Sequence, residues 1–402
     1  MPVISSDTTT TDAGDNTVDL ANGDYAYVLS TRTVLAAGAG AVGISGLGGN
    51  RVEIYGNVFS TYSTGVLLSA DGAPPDGYNS VAIGNTGIVS AHSYGIQIFG
   101  EGNVIFNEGT VRSFEADGIY LTGGGNEVVT SGQVLASGSG IIAKGSANHI
   151  VNSGQITAAR EAILVEGRDN RIVNTGTVTA TGGAGSHGIS VISEAGATNS
   201  VVNTGSILAG VIGLIGGAGS ERVVNSGSIT GNVVLGAGRD TFNGSEGLIV
   251  GRVWGGEGAD RLIGGRSDDV LLGGEGNDDL RGGDGEDVLA GGTGNNLMSG
   301  GSGEDMFVFS ALGDTVARSS ITDFSSGVDI LNLRAIDADA LSPGNQAFSY
   351  RGDTFTGRPG DLIARSYQGT TLIEADVDGD EKADLLIYLS RTDAVLKSDF
   401  LL

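Results

Sequence analysis

From Gly255 the chain reads GGEGADRLI, GGRSDDVLL, GGEGNDDLR, GGDGEDVLA, GGTGNNLMS, GGSGEDMFV, ending at Val308. The period of nine is unbroken. Each unit gives two glycines, usually a third Gly two residues on, then an Asp, then an apolar residue two after that. The nonapeptide GGxGxDxUx builds a parallel β-helix around calcium. Glycine permits positive φ, so the backbone turns sharply and aims carbonyls at an ion. Aspartate supplies the hard charged oxygen that calcium prefers. The apolar residues (Leu262, Leu271, Leu280, Leu289, Phe307) start short strands and fill a thin core.

Two nonapeptides make one turn, so residues eighteen apart face each other. This pairs Asp260 with Asp278, Asp269 with Asp287, Asp278 with Asn296, and Asp287 with Asp305. Two units are defective. Ser267 replaces a third glycine and Asn296 replaces an Asp, which predicts a weaker site there. An outlying copy, Gly236 to Phe242, puts Asp240 at the matching position.

The repeats resemble the RTX (repeats in toxin) family of calcium-dependent secreted bacterial proteins. The likeness continues through ITDFSSGVDILNL (Ile321 to Leu333), FTGRPGDL (Phe355 to Leu362), DVDGDEKAD (Asp376 to Asp384) and the terminal SDFLL. Together these look like the C-terminal domain of serralysin-type metalloproteases. The resemblance implies a β-roll over 236–309, a β-rich cap over 310–402, and export by a type I system. The terminal Asp399 to Leu402 resembles the type I signal. Asp376, Asp378, Asp380 and Asp384 crowd a turn at Gly379, read either as one more calcium site or as a solvated acidic turn.

Composition agrees. The chain has 402 residues, 72 glycines and only 5% aromatics, which suits a solenoid core of small and β-branched residues. The net charge of −26 argues against nucleic acid or an anionic membrane as partner. Bound calcium would offset many of those carboxylates. There is no cysteine, so metal and stacking replace disulfides. No apolar run is long enough to span a membrane. The N-terminus has no basic n-region and no apolar h-region, so it does not read as a cleaved signal peptide. Together these point to a secreted extracellular or cell-surface protein.

Over 46–235 a longer repeat dominates. It aligns on Asn85, Asn107, Thr130, Asn152, Asn174, Asn203 and Asn225, each two residues before a Gly. Most steps are 22 or 23 residues and one is 29. A second strand follows Gly95, Gly118, Gly140 and Gly188. Short strands at this period, without a helical pattern, predict a right-handed parallel β-helix. Its coils loosely resemble those of bacterial adhesins and polysaccharide-acting β-helices. The Asn column reads as an internal ladder of stacked amides. Residues 1–45 read as an extended entry segment, with short strands from Val18 to Ser45. The predicted architecture is thus all-β, a parallel β-helix continuing into an RTX parallel β-roll with a β-rich cap.

Chemistry on a solenoid of this kind would sit in its outward columns. Tyr94, Asp117, Ser139, Glu161 and His187 precede the second strand in successive coils. Asp117, Glu161 and His187 would be the catalytic candidates of a polysaccharide lyase or C5-epimerase. The Asp-Pro-His-Glu motif of alginate epimerases and the HExxH of metalloproteases are both absent, and His92, His149 and His187 lie far apart. A polar solenoid surface accounts for the same column. A neighbouring column (Leu67, Gln97, Tyr120, Ile142, Leu164, Ser190) is partly apolar, calling for a cover by the N-terminal segment or by Ala70 to Tyr78, or for an intermolecular contact. The leading expectation is a structural protein, an adhesin or self-assembling filament. Its partners would be copies of itself or a surface polysaccharide. A catalytic β-helix and a non-catalytic carbohydrate-binding module are the rivals.

Overall fold

A computed structural model describes residues 3–4, 6–69, 78–310 and 318–402. Most of the segment Ala70 to Tyr78, a suggested cover above, lies outside the described residues. The chain divides into two compact units: Met1–Gly219 with Gly227–Gly231, and Ser220–Ser226 with Asn232–Leu402. Among the described residues there is no α-helix, only a 3-10 turn at Lys397–Asp399. Among the same described residues no helix is long and apolar enough to cross a membrane.

In the first unit, from Tyr25 to Ala180, every strand has four residues and a coil contributes three of them. One coil is Val104–Asn107, Thr110–Ser113 and Ile119–Thr122; the next is Glu127–Thr130, Gln133–Ala136 and Ile141–Lys144. Every strand pairs in parallel with its equivalent one coil on, as Val104 with Glu127, Thr110 with Gln133 and Ile119 with Ile141. Inward positions alternate with outward ones. The core is a stack of aliphatic side chains, such as Ile105, Val111, Ile119 and Leu121, all fully buried. Closeness between coils favours glycine before the third strand, although Ala162 stands there before Ile163–Glu166. A side chain on Gly118 would collide with the Gly140 carbonyl and with Val134.

The stack begins earlier than the boundary at residue 46. Tyr25–Val28, Thr33–Ala36 and Ile44–Leu47 are already in register with Arg51–Ile54, Asn57–Ser60 and Val66–Ser69. The internal amide ladder is present. Asn107 donates to Thr130, Asn152 to Asn174 (2.7 Å) and Asn174 to Asn203 (2.7 Å). Asn85 is not part of it. Ile83 pairs with Asn107, and Asn85 is exposed in the following turn, because that coil is two residues longer between these strands. The apolar outward column is covered at its centre, where Ile142 and Leu164 are 5% and 8% exposed.

The second unit has two strands per coil of eighteen. Leu271 pairs with Leu289, and Leu280 with Met298. Leu262, Leu271, Leu280, Leu289, Met298 and Phe307 fill its core without exposure. The remainder of the unit includes an antiparallel meander, Asp361–Tyr367, Thr370–Asp376 and Leu385–Ser390, joined in parallel to Arg318–Ile321. The terminal strand Phe400–Leu401 lies parallel to Ile330–Asn332.

Candidate metal centre

The repeat aspartates other than Asp269 use their two carboxylate oxygens differently. Oδ1 accepts a hydrogen bond from the backbone N–H of the equivalent residue one coil earlier. One ladder runs Glu221, Asp240, Asp260, Asp278, Asn296, with N···Oδ1 distances of 2.7, 2.8, 2.9 and 2.9 Å. The other runs Asp269, Asp287, Asp305, Asp329, with 2.8, 3.0 and 3.0 Å. The pairs expected from the spacing of eighteen are thus brought together, and Asp329, which no repeat predicts, closes the second ladder.

The other oxygen has no such use. Oδ2 of Asp240, Asp260, Asp278 and Asp287 is buried and meets no hydrogen-bond donor. It lies against the turn: a side chain on Gly273 would collide with Oδ2 of Asp278, and one on Gly282 with Oδ2 of Asp287. Gly274 and Gly276 in the same turn have φ of 117° and 124°, which L side chains rarely adopt. A buried anionic oxygen without a donor is costly. A hard cation held by carboxylate and turn carbonyl oxygens removes that cost, and calcium fits this donor set.

Asn296 shows the same position without the charge. Its Nδ2 donates to the Gly292 carbonyl at 3.2 Å, so an amide proton satisfies the turn. The first unit uses this neutral solution throughout. Asn79, Asn103, Asn126, Asn148, Asn170 and Asn199 each accept the backbone N–H of the ladder Asn one coil earlier, at 2.9 to 3.0 Å. Three of them also donate to a carbonyl three residues back: Asn103 to Gly100, Asn126 to Gly123 and Asn148 to Gly145. This second Asn column escaped the sequence reading because no Asn-x-Gly motif marks it. The acidic and the neutral ladder are one device with different second atoms.

The Ser267 unit departs in its own way. The Gly265 N–H donates to Oδ2 of Asp269 at 2.6 Å, so the protein itself engages the oxygen left bare elsewhere.

Burial pushes the ladder carboxyls up: Asp240 to about 8, Asp287 to about 7, Asp278 and Asp305 to about 6. Asp260, Asp269 and Asp329 move the same way for the same first cause. An unfolded Asp titrates near about 3.9. The folded unit therefore keeps protons that the unfolded chain has released. Its stability in chelator falls as pH rises from about 4 through about 8. A cation competes with those protons. The calcium concentration at the folding midpoint is expected to fall as pH drops from about 8 to about 6, because either occupant of these carboxyls, proton or calcium, favours the folded unit over an unfolded chain that is already deprotonated. Circular dichroism titrations at the two pH values check this; a pH-independent midpoint contradicts it.

In the acidic turn, Asp376, Asp378 and Asp384 each offer an oxygen within 4.8 Å of the others. Asp380 is not among them; it pairs with Lys382 at 2.6 Å, which holds its carboxyl below the usual range. Asp376 accepts the N–H groups of Gly379 (2.6 Å) and Glu381 (2.9 Å), and Asp384 that of Val377 (2.8 Å). Burial and the neighbouring carboxylates raise Asp384.

Of the alternative catalytic residues, Asp117 and Glu161 converge on Ser139. Asp117 Oδ1 accepts the Ser139 N–H at 2.8 Å, and Ser139 Oγ donates to Glu161 at 2.8 Å. His187 stands apart, its Nδ1 3.1 Å from Ser190 Oγ. His92 and His149 sit beside Glu115 (3.2 Å) and Glu127 (3.5 Å).

No curated protein matches the chain. Among solved structures it is similar to the AlgE6R3 subunit of the Azotobacter vinelandii mannuronan C5-epimerase, at 23% identity and a TM-score of 0.27, over 36% of this chain and 78% of that one. The family model described as RTX calcium-binding nonapeptide repeat (4 copies) matches residues 254–289 and 281–316, and does not reach the acidic turn. The bare carboxylate oxygens of Asp260, Asp278 and Asp287 thus lie within RTX nonapeptide repeats, which bind calcium.

Proposed function

We propose that this chain is a secreted structural protein of a bacterial surface or matrix, an adhesin or a filament, whose second unit folds when it meets extracellular calcium. The observation that carries this reading is the contrast between the two ladders. One stack is self-sufficient through amides; the other leaves buried anionic oxygens that call for a cation.

Cytosolic calcium is scarce, so the repeats would stay unfolded until export. The C-terminus supports the same order of events. Asp399 is buried in the fold, accepting from Ser326 Oγ (2.6 Å), Gly327 N (3.0 Å) and Leu396 N (2.8 Å). If Asp399 to Leu402 act as a type I export signal, folding buries its Asp399 and Phe400. The acidic turn of Asp376, Asp378 and Asp384 is a further candidate calcium site on this reading.

Asp117 and Glu161 already serve Ser139 in the solenoid turns, which favours a structural role for them over a catalytic one. A solenoid grows by parallel strand pairing, so an edge strand is a template for another chain. A head-to-tail contact is heterologous and extends without closing. Filaments are expected by electron microscopy in millimolar calcium and not in chelator. A monodisperse monomer at high concentration, unchanged by deleting residues 1–16, would remove the filament reading.

A further inference from the structure

The first unit contains eleven aromatic residues, all between Tyr25 and Tyr120. From 121 to 241 there is none. Not one of the eleven is buried. The core of this unit is aliphatic along its whole length, so the rings contribute nothing to it. Five consecutive coils without aromatics stack as well as those that carry them. Rings displayed at the surface of only the first coils require a different explanation.

Part of this display forms a groove of about 370 Å³. Its floor follows the outward column Leu35, Phe59, Ser90, in register across three coils. Its wall is built from turn residues, chiefly His92 and Phe114. Phe114 is 53% exposed, with the Arg112 guanidinium 5.1 Å from its ring centre. Tyr62, 60% exposed, lies beside His92 with ring centres 6.5 Å apart. His92 Nε2 is 3.2 Å from Glu115, so an imidazole and a carboxylate stand at the rim. Thr61 and Ser90 line the same groove together with Ser60, whose own hydroxyl is buried and donates to the Ala41 carbonyl at 2.9 Å.

We infer that this groove binds a neutral glycan, laid along the stacking direction of the coils. The argument rests on complementarity. A pyranose has C–H faces, which pack on aromatic rings, and hydroxyl edges, which bond to serine, threonine, imidazole and carboxylate groups. Coils repeat at about 4.8 Å, close to the length of one sugar in an extended chain. The net charge of −26 disfavours polyanions, so nucleic acids and polyuronates are poor candidates even though bases also stack on rings. A folded protein partner needs an interface of roughly 1,000 Å² or more, far larger than this groove. The inference deepens the adhesin reading above by naming its ligand class.

The test uses the full chain in millimolar calcium on an array of neutral hexasaccharides (gluco-, xylo-, manno- and galacto-configured) with alginate oligomers as the acidic arm. Binding to at least one neutral series is expected, with none to alginate. The double variant Phe59→Ala, Phe114→Ala should lose about tenfold or more in affinity. Phe106→Ala, another exposed ring (46%) on a different strand column, should lose none. Circular dichroism confirms that both variants fold. Silence across the neutral series, preference for alginate, or equal loss in Phe106→Ala overturns the inference. Glycan binding without filaments would overturn only the filament reading, and filaments without glycan binding only this one.

Discussion

Removal of calcium by a chelator at neutral pH is expected to unfold the second unit, Asn232–Leu402, and to leave the first unit's strands in place. The two units bury comparable ladders, but only one carries charge. In the first, Asn79, Asn103, Asn126, Asn148, Asn170 and Asn199 each donate and accept within the protein, and no buried charge in the ladder calls for an ion. In the second, Oδ2 of Asp240, Asp260, Asp278 and Asp287 is buried without a donor. Burial pushes Asp240 and Asp287 up to about 8 and about 7, a measure of how poorly the fold tolerates their charge. The glycine-rich turns also lose much conformational entropy on folding. An ion that binds only the folded state contributes about 4 kcal/mol per site at a thousandfold excess over Kd. Several such sites exceed the roughly 5–15 kcal/mol by which domains are ordinarily stable. Hydrogen exchange of the whole chain, read unit by unit, decides the matter. Protection around Leu271, Leu280 and Leu289 should vanish in chelator while that around Ile105, Ile119 and Ile141 persists. Equal protection of both units in chelator would contradict it.

What the sequence made legible follows from which interactions are periodic. The nine-residue phase of Gly, Asp and Leu located the second unit's coils, and the partners eighteen apart meet as that phase requires. The Asn-x-Gly column placed one amide ladder of the first unit. Periodicity failed where a coil changes length. Asn85 keeps the motif, yet Ile83 takes the position beside Asn107. The second Asn column was hidden because its neighbours in sequence vary, although its bonds through space do not. At Asp380 the local competitor was Lys382, two residues away, and spacing among carboxylates says nothing about a nearby ammonium. The aromatic groove was illegible for another reason. Leu35, Phe59 and Ser90 share no motif, and only the register places them in one column.

Replacing Asp260, Asp278 or Asp287 with Asn should have opposite effects with and without calcium. Asparagine keeps Oδ1, so the bond to the N–H one coil earlier survives. It exchanges Oδ2 for a donor, and Asn296 already shows what that donor does: it reaches the Gly292 carbonyl, four residues back. The equivalent carbonyl for residue 278 belongs to Gly274. In chelator the substitution removes a buried charge whose pKa stands at about 6 in Asp278 and about 7 in Asp287, and it adds a hydrogen bond. Each such change is expected to stabilise the calcium-free unit by about 2 kcal/mol. In saturating calcium the same change deletes a charged ligand and costs up to about 4 kcal/mol per site. Asp→Ala at the same positions should destabilise in both conditions, because it also deletes the Oδ1 bond and leaves a buried N–H without an acceptor. Urea unfolding in calcium, together with the structure each of the three Asn and three Ala variants retains in chelator by circular dichroism, separates the cases. The reversal of sign in the Asn series is the expected result. An Asn series that destabilises equally in chelator would mean that Oδ2 has a partner other than a cation, and that the acidic ladder does not need calcium to fold.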